Sequence, residues 1–553
     1  MPDAPPNPRP KPGPTPHDGP TSYVVDRRKV VFGLGFGVVA AAGLGALEGI
    51  SLPQSSALTL DTVGTDTQPD GTAESDELTT VTEPVDLGPF EAPIFDETRR
   101  LATGQPADFV LTGGRIIDPQ TGFDRIGNVA VVGNTIVEIS DQPIAGASQL
   151  DAAGLVISPG FIDILSYQPN GYGEWWKVAD GVTSNVGMHG LRFDAAAFTA
   201  RWVGEGVPIN FGGAVHNSHI RQEAGLQIDQ EASSTDIGEI TTKIEEQLAR
   251  GYIGIHVQPE YSPGVSPTEL RDMGEIAATH DVPLCVHARF SDNLAPGLQS
   301  DATAELVAVA RDTGCHVHIE HLNSTGGTGR MADALDEIDS ARAEGLRMSS
   351  CMYPYEFWAT TLKSARFRDW QEKFGLTFED LQVAGTNERL TEATFASAYD
   401  SNLLTAAFAI PPGDIELGFG RDFMMIGSDA ILERPHNNHP RSTGCFSRVL
   451  GTFVRDQRVV DMVDALAMMT IRPAELLGLG APAMRNRGRM QIGAHADITV
   501  FDPSRISDRS TIADPAQESV GVEYVMVNGT FVRTPAGTDR TVLPGQAILS
   551  ALA

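Results

Sequence analysis

The middle of the chain contains eight short apolar segments, separated by stretches long enough to form a helix. Short apolar runs between turn residues are typical of strands buried on both faces. Eight strand–helix units in succession predict an α/β fold, a (β/α)8 barrel of the TIM type, whose site lies at the C-terminal ends of the strands. The predicted strands cover residues 156–165, 182–188, 208–215, 251–257, 282–287, 316–321, 347–353 and 423–429.

Polar side chains collect where these predicted strands end. They are His189, His216, His219, His256, His287, His321, Tyr353, Tyr355 and Asp429. For any one histidine a structural role is the simpler interpretation, but histidines scattered through a core would not gather at one rim. Their common position therefore predicts that they belong to a functional site.

Strand-rich sequence flanks the barrel on both sides. Residues 105–155 contain β-branched runs punctuated by Gly-Gly and Gly-Asn turns, and a similar pattern returns in residues 485–553. We predict a small β-sandwich domain assembled from both ends of the chain, with the barrel occupying residues 156–484.

The N-terminal residues 1–57 are predicted to be an export signal region. Arg27 and Arg28 precede an uncharged apolar run rich in Gly and Ala, which is similar to a twin-arginine signal for the export of folded proteins. If this run is not cleaved, it would be the one part of the chain that contacts a membrane. Residues 58–104 are acidic and rich in Thr and Pro, which predicts a disordered linker.

The charge balance limits the classes of molecule that the chain is expected to bind. Forty Lys and Arg against 72 Asp and Glu give a net charge of −32, which argues against nucleic acid and anionic membrane surfaces, because both require clustered positive charge. Four cysteines without a C-x-x-C spacing predict neither a disulfide scaffold nor a zinc ribbon. The expected partner is a small molecule, and homo-oligomerisation is left open.

Short motifs follow one another from residue 107 to residue 532. They include His287-Ala-Arg289, His321-Leu-Asn323, Tyr353-Pro-Tyr355, Gly427-Ser-Asp429 and His439-Pro-Arg441. Each is weak alone, but in this order and over this length they resemble the D-aminoacylase (N-acyl-D-amino-acid deacylase) family of the amidohydrolase superfamily. The resemblance implies a metal-dependent hydrolase that cleaves an amide bond.

The resemblance also implies a metal site that has changed. The first strand of such enzymes ends in two histidines that hold one of two metals, and Leu165 and Tyr167 stand there instead. Leu165 cannot ligate and a protonated Tyr167 is a poor zinc ligand. The other metal position corresponds to His189, in place of a cysteine, with His287 and His321. We therefore expect one zinc ion per chain, held by these three histidines.

Catalytic and substrate-binding roles follow by the same resemblance. Asp429 would be the general base that takes a proton from water and returns it to the leaving amine. Arg441, with Tyr353 or Tyr355, would hold the carboxylate of the substrate.

Four further residues would shape the pocket. Asn323 replaces the lysine that the family usually has two positions after the strand-6 histidine, and His256 replaces a small hydroxyl residue. His216 and His219 add imidazoles after the third strand; they would refashion the pocket or recruit metal. The loss of a cation at Asn323 weakens the case for an N-acyl-D-amino acid as substrate.

The sequence is compatible with three functions. The first is a zinc-dependent hydrolase of an N-acyl amino acid or related small amide. The second is a cyclic-amide hydrolase of the hydantoinase or dihydroorotase kind, for which no clear carbamylated lysine is found. The third is a non-catalytic binding protein on a decayed barrel. The retention of His287, His321 and Asp429 favours catalysis.

Overall fold

The computed structural model describes residues 88–292, 294, 296–434 and 438–553. The predicted export region and residues 58–87 of the predicted linker lie outside these ranges. Within them, no helix combines the length and the apolarity needed to cross a bilayer.

Five strands precede the barrel. They are β1 (Ala107–Asp118), β2 (Phe123–Val132), β3 (Thr135–Ser140), β4 (Gly146–Asp151) and β5 (Val156–Pro159). Strands β1, β2 and β3 pair antiparallel, whereas β4 and β5 run parallel to β1. The predicted Gly-Asn turn joins β2 to β3, and Gly133 has the positive φ of 57° that such a turn requires.

Eight parallel strands form the barrel, which confirms the predicted fold class. They are β6 (Phe161–Asp163), β7 (Val182–Leu191), β8 (Asn210–His216), β9 (Ile255–Val257), β10 (Pro283–Val286), β11 (His316–Ile319), β12 (Met348–Met352) and β16 (Met424–Ile426). An insertion between β12 and β16 contains a separate sheet of three strands, β13 (Trp358–Thr361), β14 (Leu381–Val383) and β15 (Leu404–Ala407). The ends of the first and last barrel strands meet where Ser428 N donates to Asp163 Oδ1 at 2.9 Å and Asp429 N donates to Leu165 O at 2.6 Å.

Helices separate the strands, and local sequence explains where they begin. Ser233 caps a 16-residue helix through a capping box with Asp236, and Ile240, Ile244 and Leu248 form its buried face. The helices are α1 (Glu174–Ala179), α2 (Ala195–Glu205), α3 (Asn217–Glu223), α4 (Ser234–Ala249), α5 (Pro267–His280), α6 (Gln299–Thr313), α7 (Met331–Ala343), α8 (Trp370–Phe374), α9 (Glu392–Asp400), α10 (Pro412–Gly418), α11 (Arg441–Arg448), α12 (Met462–Met469) and α13 (Ile471–Leu477).

The first predicted strand, 156–165, is two strands. Its first half is β5, which pairs with the small β domain, and its second half is β6 of the barrel. The chain changes sheet at Gly160, where an added Cβ would lie 2.2 Å from Thr183 Cγ2. Only glycine allows this close approach, and the Pro159-Gly160 pair is the sequence signal for the break.

The C-terminal strands complete the small β domain. They are β17 (Ile498–Phe501), β18 (Val522–Val527), β19 (Thr530–Thr534) and β20 (Gly537–Thr538). Because β17 pairs antiparallel with β5, both ends of the chain share one nine-stranded sheet. The predicted origin of this domain from both ends is confirmed.

Residues 88–104 lie along the small β domain. Phe95 N donates to Ile492 O at 2.8 Å, Leu101 N donates to Val137 O at 3.0 Å, and Asp96 caps a single 3-10 turn. The predicted linker is therefore too long at this end, because Phe90 packs on the apolar core of the domain.

Candidate active site

A cavity of about 480 Å³ opens at the C-terminal ends of the barrel strands. His189 at the end of β7, His287 after β10, His321 after β11 and Asp429 after β16 all line it. An adjoining cavity of about 290 Å³ shares Asp429 and is also lined by Arg441. The topology thus brings together the predicted metal ligands and the predicted base.

Three imidazoles form the centre of this cavity. His287 Nδ1 lies 3.1 Å from His321 Nε2, and ligand atoms of His189, His287, His321 and Glu320 all lie within 4.8 Å of one another. Two nitrogens bound to one tetrahedral zinc at about 2.0–2.1 Å would lie about 3.3 Å apart. The donor types and their spacing therefore fit a metal ion.

Glu320, which the sequence did not single out, orients two of the imidazoles. Its fully buried carboxylate accepts hydrogen bonds from His189 Nδ1 at 2.6 Å and His256 Nδ1 at 2.8 Å. Burial would raise the pKa of Glu320, but His256 and His189 hold it well below its usual value, so the carboxylate is ionised. This contact leaves His189 Nε2 free to ligate, as carboxylates do for histidine ligands in metal sites.

A second carboxylate orients His287. His287 Nε2 donates to Glu260 Oε2 at 2.6 Å, which turns Nδ1 toward His321. Glu260 also accepts from Arg366 Nη1 at 2.5 Å. Although burial would raise the pKa of Glu260, Arg366 and His287 lower it to about 2.

Asp429, which follows β16, faces the imidazoles within the same cavity. Its Oδ1 lies 4.0 Å from His189 Nε2, and its Oδ2 lies 3.8 Å from His321 Nε2. Arg441 Nη2 donates to Oδ2 at 2.7 Å, and Tyr167 donates its hydroxyl to Oδ1 at 3.1 Å. Burial would raise the pKa of Asp429, but Arg441 and the nearby imidazoles lower it to about 2.

The residues that replace the first-strand histidines take other roles. Leu165 is fully buried in the core. Tyr167 is partly exposed at the cavity, but desolvation of its hydroxyl and the charge of Asp429 raise its pKa well above the usual value, so the phenol stays protonated and serves as a donor.

Comparison with known proteins decides the family. A model of the amidohydrolase family matches residues 178–532, more than half of the chain. The chain belongs to the amidohydrolase family. It is therefore an enzyme that acts on carbon–nitrogen bonds other than peptide bonds, and the resemblance inferred from its motifs is confirmed.

Similar proteins place this amidohydrolase beside the deacylases. It is 29% identical over 468 residues to an N-acyl-D-glutamate deacylase of Alcaligenes xylosoxydans xylosoxydans, covering 77% of this chain and 93% of that protein. It is 28% identical to a D-aminoacylase of the same organism, covering 77% and 95%. An N-acyl-D-glutamate deacylase from Bordetella bronchiseptica, solved with zinc and a phosphonate inhibitor, superimposes with a TM-score of 0.70 at 26% identity, covering 81% of this chain and all of that one.

Two of the predicted substrate-binding residues of this amidohydrolase line the cavities. His216 lines the larger cavity and Arg441 the adjoining one. Arg441 Nε and Nη1 have no hydrogen-bond partner among the described residues, so this guanidinium can bind a carboxylate while Nη2 holds Asp429.

The other five predicted substrate-binding residues line neither cavity. His256 is fully buried and bound to Glu320, and His219 pairs with Glu223 on α3 at 3.5 Å. Asn323 Nδ2 donates to Tyr353 O at 2.9 Å, and the Tyr353 ring lies beneath the Arg441 guanidinium at 4.2 Å. Tyr355 packs against His439 at 5.1 Å. These side chains support the site from behind, a distinction that depends on side-chain direction and not on sequence position.

The sequence carried one signal for the missed carboxylate. Glu320 lies inside an apolar segment predicted to be a buried strand, and a buried charge requires partners. Glu260 and Arg366 carried no such signal, because both lie outside the predicted barrel strands, where charged residues are ordinary.

Proposed function

We propose that this amidohydrolase is a deacylase that hydrolyses the amide bond of an N-acyl amino acid, with one zinc ion per chain. The observation that carries the proposal is the meeting of three imidazoles with an ionised Asp429 in one cavity, with Arg441 beside them. The deacylases among its relatives support the substrate class.

The metal would be held by His189, His287 and His321. When bound, zinc supplies Lewis acidity, which polarises an amide carbonyl. Glu320 and Glu260 each accept a hydrogen bond from the far nitrogen of one of these imidazoles, so ring orientation is fixed before metal binds. Leu165 offers no ligand atom and Tyr167 is a protonated donor, which supports one ion and not two.

Asp429 would move the proton. Its carboxylate is ionised, and hydrogen bonds from Arg441 and Tyr167 fix its plane. The gaps of 3.8 and 4.0 Å between its oxygens and the imidazoles leave it beside the space where water and substrate would meet. In that position it can take a proton from the attacking water and deliver it to the leaving nitrogen.

Arg441 would position the amino-acid half of the substrate. Its Nε and Nη1 have no hydrogen-bond partner among the described residues, so the guanidinium has N–H donors left for a carboxylate while Nη2 holds Asp429. Binding there would set the scissile amide between Asp429 and the three imidazoles.

Replacing Asp429 by Asn tests the proposal. Asp429→Asn preserves size but removes the base, so kcat should fall about a hundred- to ten-thousand-fold while zinc remains bound. The measurement is zinc content and turnover on the same preparation, with N-acetyl derivatives of D- and L-glutamate, aspartate and leucine as substrates.

Asp508→Asn is the matched control. Asp508 pairs with Arg448 at 3.4 Å, and its side chain is 10% exposed, as is that of Asp429, but it lines neither cavity. It should retain wild-type turnover. An Asp429→Asn enzyme with full zinc and normal turnover would remove Asp429 from the mechanism, and a zinc-loaded wild type that hydrolyses none of these amides would refute the deacylase proposal.

The two other hypotheses have less support. A non-catalytic binding protein has no need of an ionised carboxylate held against three imidazoles. The observations at the site do not favour a cyclic amide over an N-acyl amino acid.

A further inference from the structure

The wall of the cavity opposite Arg441 is unusually rich in hydrogen-bond donors. It is built from the last residues of β7 and β8 and from the segments that follow β7, β8 and β9. Its polar residues are Arg192, His216, Gln222 and Gln258, and its apolar residues include Leu191, Phe193 and Ile228. If Arg441 holds the amino-acid half of the substrate, this wall receives the acyl half.

His216 is a fixed donor on this wall. Its Nδ1 accepts a hydrogen bond from His219 N at 3.3 Å, as the N-cap of α3. An imidazole that accepts through Nδ1 and remains neutral carries its proton on Nε2. Burial, and then the charges of His256 and Arg192, hold the pKa of His216 well below its usual value, so the ring is neutral.

The ring of His216 cannot move away easily. A Cβ on Gly190 would lie 2.8 Å from His216 Cδ2 and 2.7 Å from His256 Cδ2, so both imidazoles pack directly on the backbone next to His189. His216 is only 3% exposed, yet it lines the cavity. Its donor is therefore held in place on the acyl side of the three imidazoles.

Arg192 supplies positive charge on the same wall. It lies three residues after His189 and is exposed, and no hydrogen bond or ion pair joins it to another described residue. Its charge lowers the pKa of both His216 and His219, after the larger effect of burial. In a chain of net charge −32, a cation without a carboxylate partner beside a cavity indicates a site for an anion.

We infer that the acyl group of the substrate ends in a carboxylate, which binds to Arg192 and the Nε2–H of His216. This inference rests on the proposed function and deepens it: the substrate is an N-acyl amino acid with one carboxylate on each side of the amide. Hydrolysis breaks the C–N bond, adds the hydroxyl of water to the acyl carbon and a proton to the nitrogen, and releases a dicarboxylic acid and an amino acid.

Three matched compounds test the inference. They are N-succinyl, N-succinamyl and N-butyryl derivatives of one amino acid, D-glutamate, which differ in carrying a carboxylate, a neutral carboxamide or a methyl at the acyl end. Binding is measured by calorimetry on the zinc-loaded Asp429→Asn protein, and kcat/KM on the zinc-loaded wild type. The succinyl compound should be preferred over the succinamyl compound by about ten- to a hundred-fold, the effect of one charge-assisted contact.

Variants assign the preference to the two donors. Arg192→Gln should bring the succinyl-to-succinamyl ratio close to one, and His216→Leu should reduce it, whereas His216→Gln, which restores an N–H near the position of Nε2, should recover part of it. Arg201→Gln is the control, because Arg201 is an exposed residue of α2 that pairs with Glu205 outside the cavity.

The two proposals fail in different ways. Hydrolysis with equal rates for the succinyl and succinamyl compounds, or a preference that survives Arg192→Gln, overturns this inference and leaves the deacylase. Selective binding of the succinyl compound that depends on Arg192, without hydrolysis of any compound, upholds the anion site and overturns the deacylase.

Discussion

Glu320 joins two imidazoles that belong to different strands. One carboxylate oxygen accepts from His189 at the end of β7, and the other accepts from His256 on β9. Because the carboxylate is ionised and fully buried, both ring nitrogens that face it must carry protons. The orientation of His189 toward His287 and His321 therefore depends on a residue that need not touch the substrate.

Glu320→Gln tests this dependence. A carboxamide keeps the shape but has only one acceptor oxygen, so one of the two imidazoles loses its partner. We expect zinc affinity to fall about ten- to a hundred-fold, as when other outer partners of metal-bound histidines are changed. The measurement is a zinc titration in competition with a chelator.

Glu305→Gln provides the control for Glu320→Gln. Glu305 also accepts from a nitrogen donor, Arg289 Nε at 2.8 Å, but that partner is not one of the predicted metal ligands. It should bind zinc as the wild type does. Unchanged zinc affinity in folded Glu320→Gln would show that Glu320 does not orient a ligand.

At the scale of residues, most of the candidate site could be predicted from the position of residues at the ends of strands. His189 lies near the end of β7, and His287, His321 and Asp429 follow other barrel strands, so the topology brings the four together. Their roles as ligands and base stay predictions. Strand position could not show which way a side chain points. Tyr353 directly follows β12 and His256 lies on β9, yet both lie behind the cavity walls.

The insertion between β12 and β16 reaches across the barrel to the metal site. Arg366, which lies between β13 and α8, donates to Glu260 after β9, to Ser291 Oγ after β10 and to Ser324 O after β11. Its guanidinium also lies over the Trp358 ring at 4.3 Å. The insertion thus holds the carboxylate that orients His287.

Arg366→Met should destabilise the protein far more than a neighbouring substitution. It leaves Glu260 buried without its cation, which costs about 3–5 kcal/mol for a buried pair that loses one partner. Arg368→Met is the control, because Arg368 pairs with Asp229 where both side chains are at least half exposed, and such pairs contribute about 0–1 kcal/mol. Denaturant unfolding of both variants compares them, and equal midpoints would contradict the buried role of Arg366.

At the scale of elements, the sequence predicted the barrel strands and not the insertion. The short apolar runs that predicted the barrel correspond to strands β6 to β12 and β16. The insertion strands are three or four residues long and pair only with each other. Their sequences, Trp-Ala-Thr-Thr, Leu-Gln-Val and Leu-Thr-Ala-Ala, mix polar with apolar residues, and their pairing is set by the antiparallel contact of β13 and β14 with β15.

For the whole molecule, the return of strand-rich sequence at the far end was the informative feature. It predicted a domain built from both termini, which the pairing of β5 with β17 confirms. Composition was misleading at residues 88–104. Their Pro and acidic content predicts a linker, but Ile94 and Phe95 lie against Ile492. Composition describes what a segment can do alone and not what it packs on.

Two histidines of β11, the partly buried His316 and the fully buried His318, should make the fold sensitive to acid. His316 Nε2 and His318 Nδ1 on β11 both contact Ser349 Oγ on β12 at 2.9 Å. Burial is the main cause that lowers the pKa of His316 to about 3 and of His318 to about 4. Both rings are therefore neutral in the folded protein at pH 5, whereas an unfolded chain protonates histidine below about pH 6.5.

The sign of the effect follows from this difference. The unfolded state binds more protons than the folded state between about pH 6.5 and the folded pKa values, so stability is complete above that window and falls as the pH decreases. Each histidine should cost about 2 kcal/mol between pH 7 and pH 5. His316→Gln and His318→Asn keep a neutral group near the position of the bonded nitrogen and remove the titration. Denaturant unfolding at both pH values should show a loss smaller by about that amount in each variant than in the wild type, and since all other titrating groups are shared, an identical loss in variant and wild type would contradict the argument.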